Sequence, residues 1–206
     1  MLTRRFAMLT PGASLALISS PWCWRHAFAQ AGDQAVGFVK NTSDQLVEIA
    51  NSALPPAERR LRLRRVIDAT VDVDDIAHFC IGRFWRLATP EQQKQYMVLF
   101  HDVLVTEISG HLGEYNGVRV TMGLARASAD TEIVITRVER PGSQTMQVDW
   151  VISTSTGQPK IVDLLAEGTS MRLTQSSDFT AYLSRHQYNI HELLEGMQQM
   201  IARSRS

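Results

Sequence analysis

The sequence predicts an α+β fold, an antiparallel sheet of four to five strands covered by helices. The first half of the chain repeats its apolar residues every three to four positions, as amphipathic helices do. From Val118 the rhythm changes to alternation, and Pro- and Gly-containing turns separate the runs. After residue 176 the helical rhythm returns. Helices, then strands joined by short turns, then helices is an α+β order, and such short turns join antiparallel neighbours because parallel strands need long crossovers.

The N-terminus comes first in the chain and reads as something other than fold. Arg4 and Arg5 precede an uncharged, mostly apolar run from Phe6 to Ser20, about 15 residues and short of the ~20 that span a bilayer. Ala27-Phe28-Ala29 then presents small residues at the two positions a signal peptidase reads. Residues 1–29 are therefore expected to be a cleaved signal peptide, and residues 30–206 one domain of 177 residues, long enough to bury a core. Thr3-Arg4-Arg5-Phe6 lacks the residue that separates the arginines from Phe in twin-arginine signals, which leaves the export route open. Cys23 follows Ser20-Pro21-Trp22, a poor lipobox, and falls in the discarded segment.

Val36, Val39, Leu46, Val47, Ala50 and Leu54 mark a first helix, which Pro55-Pro56 stops. A second runs from Pro56 through Leu63, Val66 and Ile67 to about Thr70, and a third from Asp74 to Ile81 with Gly82 as its cap. The fourth has the clearest start. Thr89, Pro90 and Gln92 form a capping box with proline at the first helical position. Tyr96, Phe100, Val103, Leu104, Ile108 and Leu112 follow on one face, and Gly113 to Gly117 ends it. Strands are expected over 118–124, 132–139, 146–153, 160–166 and 170–173, with turns at Pro141-Gly142-Ser143 and Thr156-Gly157-Gln158-Pro159. Two helices, about 177–186 and 190–203, close the chain.

The expected mature chain carries 18 Lys and Arg against 21 Asp and Glu, so nucleic acid is an unsuitable partner. Only Cys80 remains, in an apolar context that reads as a buried, inert thiol, and no Cys or His spacing offers a metal site. No catalytic motif occurs. His78, His101, His111, His186 and His191 form no i, i+4 pair, and His101 and His111 lie on different helix faces. Asp163, Glu167 and Ser170 surround Gly168 and either pin a tight strand connection or supply a general base to a cavity. Arg59, Arg60, Arg62, Arg64 and Arg65 make the second helix basic, either as a solvated face or as a dock for an acidic partner or anionic headgroups.

One stretch, Asp72-Val73-Asp74-Asp75-Ile76-Ala77-His78-Phe79-Cys80-Ile81-Gly82-Arg83-Phe84-Trp85-Arg86, resembles the D-x-x-x-I-A-x-x-x-L-G-x-x-W-R segment of the MlaC-type (toluene-tolerance) phospholipid-binding proteins. A second, Lys160-Ile161-Val162-Asp163 with Glu167-Gly168-Thr169-Ser170, is similar to that family's K-x-x-D-x-x-x-E-G-x-S stretch. The likeness extends over the whole expected mature chain and departs from the pattern at Ile81, Thr169, Gln175 and the Gln158-Pro159 pair. It implies an NTF2-like architecture with acyl chains held in an apolar cavity between sheet and helices. It also implies a periplasmic, non-enzymatic lipid carrier without cofactor or metal. The implied partners are an outer-membrane lipoprotein complex and an inner-membrane ABC transporter with an MCE-domain subunit. A hopanoid-associated branch of the family makes a triterpenoid an alternative to phospholipid.

Apolar positions that can face such a cavity are Ile76, Phe79, Phe84, Trp85, Phe100, Val103, Leu104, Ile108, Trp150, Ile161, Leu164, Met171, Leu173 and Phe179. A one-residue register error would exchange the strand members for their neighbours. The rival readings are an NTF2-like enzyme using Asp163 or Glu167, and a protein-binding scaffold with a filled core.

Overall fold

The computed structural model describes residues 22–204 except 129 and 156. Residues 1–21 of the expected signal segment lie outside the described residues. The described chain forms six α-helices and one five-stranded sheet. In order these are α1 (Trp22–Asn51), α2 (Pro56–Thr70), α3 (Val73–Ile81), α4 (Pro90–His111), β1 (Arg119–Ser128), β2 (Thr131–Glu139), β3 (Met146–Ser153), β4 (Lys160–Ala166), β5 (Thr169–Ser170), α5 (Met171–Arg185) and α6 (Ile190–Arg203). The sheet is an antiparallel meander in the order β1-β2-β3-β4-β5, as short connections require.

Local chemistry explains the helix starts. Thr89 and Gln92 bond reciprocally: Thr89 N–H donates to Gln92 Oε1 at 3.0 Å and Gln92 N–H to Thr89 Oγ1 at 3.3 Å. Asp72 caps α3 by accepting from Asp75 N–H at 3.1 Å. Ser170 caps α5 by accepting from Leu173 N–H at 3.1 Å. Each satisfies an amide that the helix itself leaves free.

Ser170 is also where the chain departs from the sequence expectation. A strand over 170–173 and a helix from 177 were expected, but the strand ends at Ser170 and α5 begins at Met171. The apolar pair Met171 and Leu173 alternates like a strand, and the serine cap between sheet and helix overrides it. β1 likewise runs on to Ser128 rather than ending near Leu124, through an irregularity that admits an extra residue. Met122 pairs with Thr136 and Ala125 with Val134, so three steps on β1 match two on β2. A Cβ on Gly123 would stand 2.9 Å from the Ile135 carbonyl oxygen, so glycine is what lets the strands close here.

Three apolar clusters divide the interior. One lies among α3, α4, α5 and α6 and is rich in rings: Phe84, Tyr96, Phe100 and Phe179 with Leu183, Leu193 and Leu194. A second joins α1, α2 and α4 through Ile49, Leu63, Val66, Ile67 and Val105. The third lays Ala35 and Val39 of α1 on Val134, Trp150, Ile152 and Ile161 of the sheet.

Candidate functional site

Between the second and third clusters the protein is hollow. A cavity of about 630 Å³ separates the sheet from the helices above it. Helix α4 lines it with Phe100, Val103, Leu104, Glu107, Ile108 and His111, one stripe at helical spacing. Helix α2 adds Leu63, Val66, Ile67 and Thr70, and α1 adds Thr42, Ser43, Leu46, Val47 and Ala50. The hydroxyls of Thr42, Ser43 and Thr70 donate to carbonyls of their own helices at 2.8–2.9 Å, so they bring satisfied polar atoms to the wall.

The floor is the inner face of the sheet. Val138 of β2 and Met146 of β3 are register partners, as are Trp150 of β3 and Leu164 of β4, and paired residues share a face. Trp150 is held in place by its indole N–H, which donates to Thr136 Oγ1 at 3.0 Å, while that hydroxyl donates to Val148 O at 3.0 Å. A register shift explains how Ile161 and Leu164, an odd number apart, both reach the floor. Val151 pairs with Asp163 but Ile152 with Ile161, so Val162 is an extra residue that resets the alternation.

Nine expected residues line this cavity: Ile76, Phe100, Val103, Leu104, Ile108, Trp150, Ile161, Leu164 and Met171. Five do not. Phe84 is buried and stacks on Tyr188 with ring centroids 5.8 Å apart. Phe179 meets Tyr96 and Phe100 edge-on at 6.2 and 6.1 Å. Trp85 packs edge-on against His78 at 4.4 Å and Tyr96 at 6.3 Å. These rings belong to the cluster behind α4, because the turn after α3 carries Phe84 and Trp85, and α5 carries Phe179, to the side of α4 away from the sheet. Phe79 is 38% exposed beneath the Arg172 guanidinium, 4.5 Å from its ring centre. Leu173 is 57% exposed. In a strand it would share a face with Met171, but in a helix two residues lie about 200° apart, so Met171 reaches the cavity and Leu173 faces solvent.

The lining of α1 and α2 was not among the expected positions. The spacing of Leu46, Val47 and Ala50, and of Leu63, Val66 and Ile67, marks an inner face, but periodicity says nothing about whether that face meets atoms or space. Thr174, Gln175, Glu107 and His111 are further lining residues outside the expected set, since polar residues give no apolar signal.

Asp163 and Glu167, the candidate bases, are committed to the strand connection. Asp163 Oδ1 accepts from Leu164 N–H at 2.8 Å and Arg172 N–H at 3.1 Å, and its Oδ2 from the Ser170 hydroxyl at 2.5 Å. Arg172 adds an ion pair at 3.5 Å and reaches Asp75 at 3.8 Å. Glu167 accepts from Gln147 N–H and takes φ 48° beside Gly168 at φ 80°, a tight left-handed turn. Asp163 borders the cavity; Glu167 does not. Burial pushes the Cys80 thiol up to about 12, and its S–H points to the Arg172 carbonyl at 3.6 Å, which fits an inert core group. Burial, with the Asp178 carboxylate second, raises the Glu107 pKa.

The basic helix is partly neutralised. Arg64 donates to Asp102 through both terminal nitrogens at 2.8 Å and to His101 Nδ1 at 3.0 Å, and His101 Nε2 in turn meets Asp68 at 2.5 Å. Arg62 pairs with Glu58 at 3.4 Å, and Arg60 donates to the Ser204 carbonyl at 3.3 Å. Among the described residues, no helix is long and apolar enough to cross a membrane.

A meander sheet roofed by helices over an apolar hollow defines a class: an α+β protein built around an apolar cavity. Its lineage follows from comparison. The family model of the MlaC protein matches residues 40–199, and the chain belongs to the MlaC family. Among solved structures, it is similar to the phospholipid-binding protein from Ralstonia solanacearum, determined in complex with a phospholipid. The TM-score is 0.69 at 23% sequence identity, over 84% of this chain and 98% of that one. At that identity the likeness is one of fold.

Proposed function

We propose that this chain is a periplasmic carrier that binds a phospholipid by its acyl chains in the cavity and shuttles it between membranes. The observation that carries this reading is the hollow itself, with an inner wall drawn from α1, α2, α4 and four strands whose exposed surface is mostly apolar. Membership of the MlaC family supports it, and so does the phospholipid held by the Ralstonia protein. The partners on this reading are an outer-membrane lipoprotein complex and an inner-membrane ABC transporter with an MCE-domain subunit. Export removes residues 1–29, and α1 from Gln30 onward keeps every α1 residue that lines the cavity.

Energetics shape how such a carrier works. Two acyl chains with roughly 28 methylenes gain about 20 kcal/mol on leaving water, at ~0.8 kcal/mol per methylene. A bilayer offers much the same, so the carrier matches the membrane rather than outbidding it. Release into water is prohibitive, and transfer proceeds by direct docking with direction set by an external energy source. Binding rather than catalysis suits a site whose candidate bases are engaged in holding the β4–α5 connection.

Native mass spectrometry of the protein expressed with export tests the reading. The expected result is a mass above that of the chain from Gln30, with a near-stoichiometric phospholipid or hopanoid released on denaturing extraction. A clean apo mass that persists after incubation with liposomes would overturn it.

A further inference from the structure

We infer that the end of the molecule where the turn after α3 meets the α5–α6 link is a docking tip for an anionic lipid surface, separate from the cavity. This goes beyond the carrier reading and does not depend on it.

The turn Gly82–Leu87 and the link 186–189 meet through one ring pair, Phe84 stacked on Tyr188 with centroids 5.8 Å apart. Two apolar side chains stand out from this junction: Leu87 is 65% exposed and Tyr188 49%. Three exposed arginines accompany them. Arg83 lies over the Phe84 ring at 5.0 Å, Arg86 precedes Leu87, and Arg185 ends α5. Among the described residues none of these guanidiniums forms a hydrogen bond or an ion pair. The carboxylates nearest along the chain are Glu91 and Glu192, and Glu192 already meets His186 at 3.6 Å. The expected mature chain has fewer Lys and Arg than Asp and Glu, so this cationic end runs against the overall balance.

The backbone is strained to build this end. Gln187 and Tyr188 take φ 54° and 61°, the left-handed region that a bulky side chain rarely adopts. Glycine or asparagine after α5 would end the helix without that cost. Strain kept at a segment points to use, and this strain sets Tyr188 on Phe84 with half of its surface in water. Leucine and tyrosine beside arginines suit the boundary between water and lipid. The leucine enters the edge of the acyl layer, the tyrosine sits at headgroup level, and the guanidiniums bond phosphates. Two projecting side chains cover too little area for a stable contact with another protein, which buries about 1,000 Å² or more. Adsorption to lipid needs only a small insertion with several basic residues, each strengthening it about fivefold. None of these residues lines the cavity, so docking here leaves the cavity wall untouched.

The test is vesicle co-sedimentation of the chain from Gln30. One set of vesicles is phosphatidylcholine alone, the other equimolar phosphatidylcholine and phosphatidylglycerol. The wild-type protein is expected to bind the anionic vesicles about tenfold or more tightly than the neutral ones. That preference should vanish in about 1 M salt, where the screening length falls to about 3 Å. Arg83→Gln combined with Arg86→Gln is expected to weaken adsorption about twentyfold, and Leu87→Ser about tenfold. A thermal melt on each sample reports folding, and native mass spectrometry reports lipid in the cavity. Equal adsorption to both vesicles, or adsorption that survives both variants, overturns the inference. Adsorption to neither also overturns it and gives the tip to an acidic protein instead. If the double variant fails to fold, Arg185→Gln takes its place: reduced adsorption supports the inference and unchanged adsorption overturns it. Lipid found in the cavity of a protein that does not adsorb leaves the carrier reading standing, while an adsorbing protein with a clean apo mass overturns that reading alone.

Discussion

Helix α4 has two halves that do opposite things with the same kind of residue. Its N-terminal half, with Tyr96 and Phe100, plugs into the ring-rich cluster of α3, α5 and α6, where Tyr96 is fully buried and its hydroxyl donates to the Ala77 carbonyl at 2.9 Å. Its C-terminal half, with Leu104, Glu107 and Ile108, overlooks empty space. What differs is the partner. Opposite the first half stand rings and leucines from three helices, long enough to meet in the middle. Opposite the second stand side chains of a sheet and of two helices held apart from it, Trp150, Met146 and Leu164 on one side and Leu46, Leu63 and Val66 on the other, and they do not meet across the gap. Packing on one side supplies the rigidity that keeps the other side open.

That contrast is easiest to break at the packed end. Tyr96→Ala is expected to cost about 3–5 kcal/mol, read from urea or guanidinium denaturation, because it empties a closed cluster and removes the hydroxyl bond to the Ala77 carbonyl. Adding bulk should separate the halves cleanly. Leu194→Trp in the packed cluster should cost about 1–3 kcal/mol, whereas Leu104→Trp in the hollow should change stability by less than about 1 kcal/mol while sharply reducing co-purified lipid. Comparable losses of stability at both positions would mean that the hollow is filled in solution. Asp163→Asn, at the seam between sheet and α5, should cost about 1–3 kcal/mol through its lost charged hydrogen bonds, without loss specific to any substrate turnover.

Alkaline titration probes the packed side alone. Folded Cys80 keeps its proton up to about 12 and Tyr96 is shifted upward too, so the folded state holds protons that the unfolded chain gives up. Stability is then fully present below about pH 8.5, the ordinary thiol value, and falls as pH rises toward 12, measured as a declining denaturation midpoint. Cys80→Ala should flatten the first part of that decline. The smallest effect lies at the hollow side. With lipid removed, Glu107→Gln should raise the melting temperature slightly at neutral pH, since a folded pKa above the unfolded one makes the ionised form a burden on the fold. A fall in melting temperature would place a hidden partner against that carboxylate.

Much of this architecture is legible in the chain. The Thr89-Gln92 box, the Pro56 start and the alternation of β2 and β3 each rest on local chemistry that tertiary contacts leave alone. The α4 stripe was legible for the same reason, which is why Val103, Leu104 and Ile108 stand where their spacing puts them. Three things were not. Leu173 was misjudged because a two-residue alternation looks alike in a strand and in the first turn of a helix, and Ser170 decides between them. Phe84, Trp85 and Phe179 were misjudged because amphipathic spacing finds an inner face but not which of two interiors it joins. The extra residue at Val162 is invisible to any alternating pattern, although it sets which side of β4 meets the cavity.

The connectivity of the roof has a consequence for the order in which the molecule assembles. Helix α1 packs on β1 and β2, which lie more than 60 residues further along the chain, whereas each strand pairs with its immediate successor. Local pairings form before distant ones, so the meander has reason to close early and α1 to close late. Until it does, Val39, Leu46 and Val47 have no sheet to rest on, and the sticky inside of the molecule faces outward. Without α1 in place the same sheet and helices would form an open trough, so the long-range packing of this one helix is what turns a surface into a container.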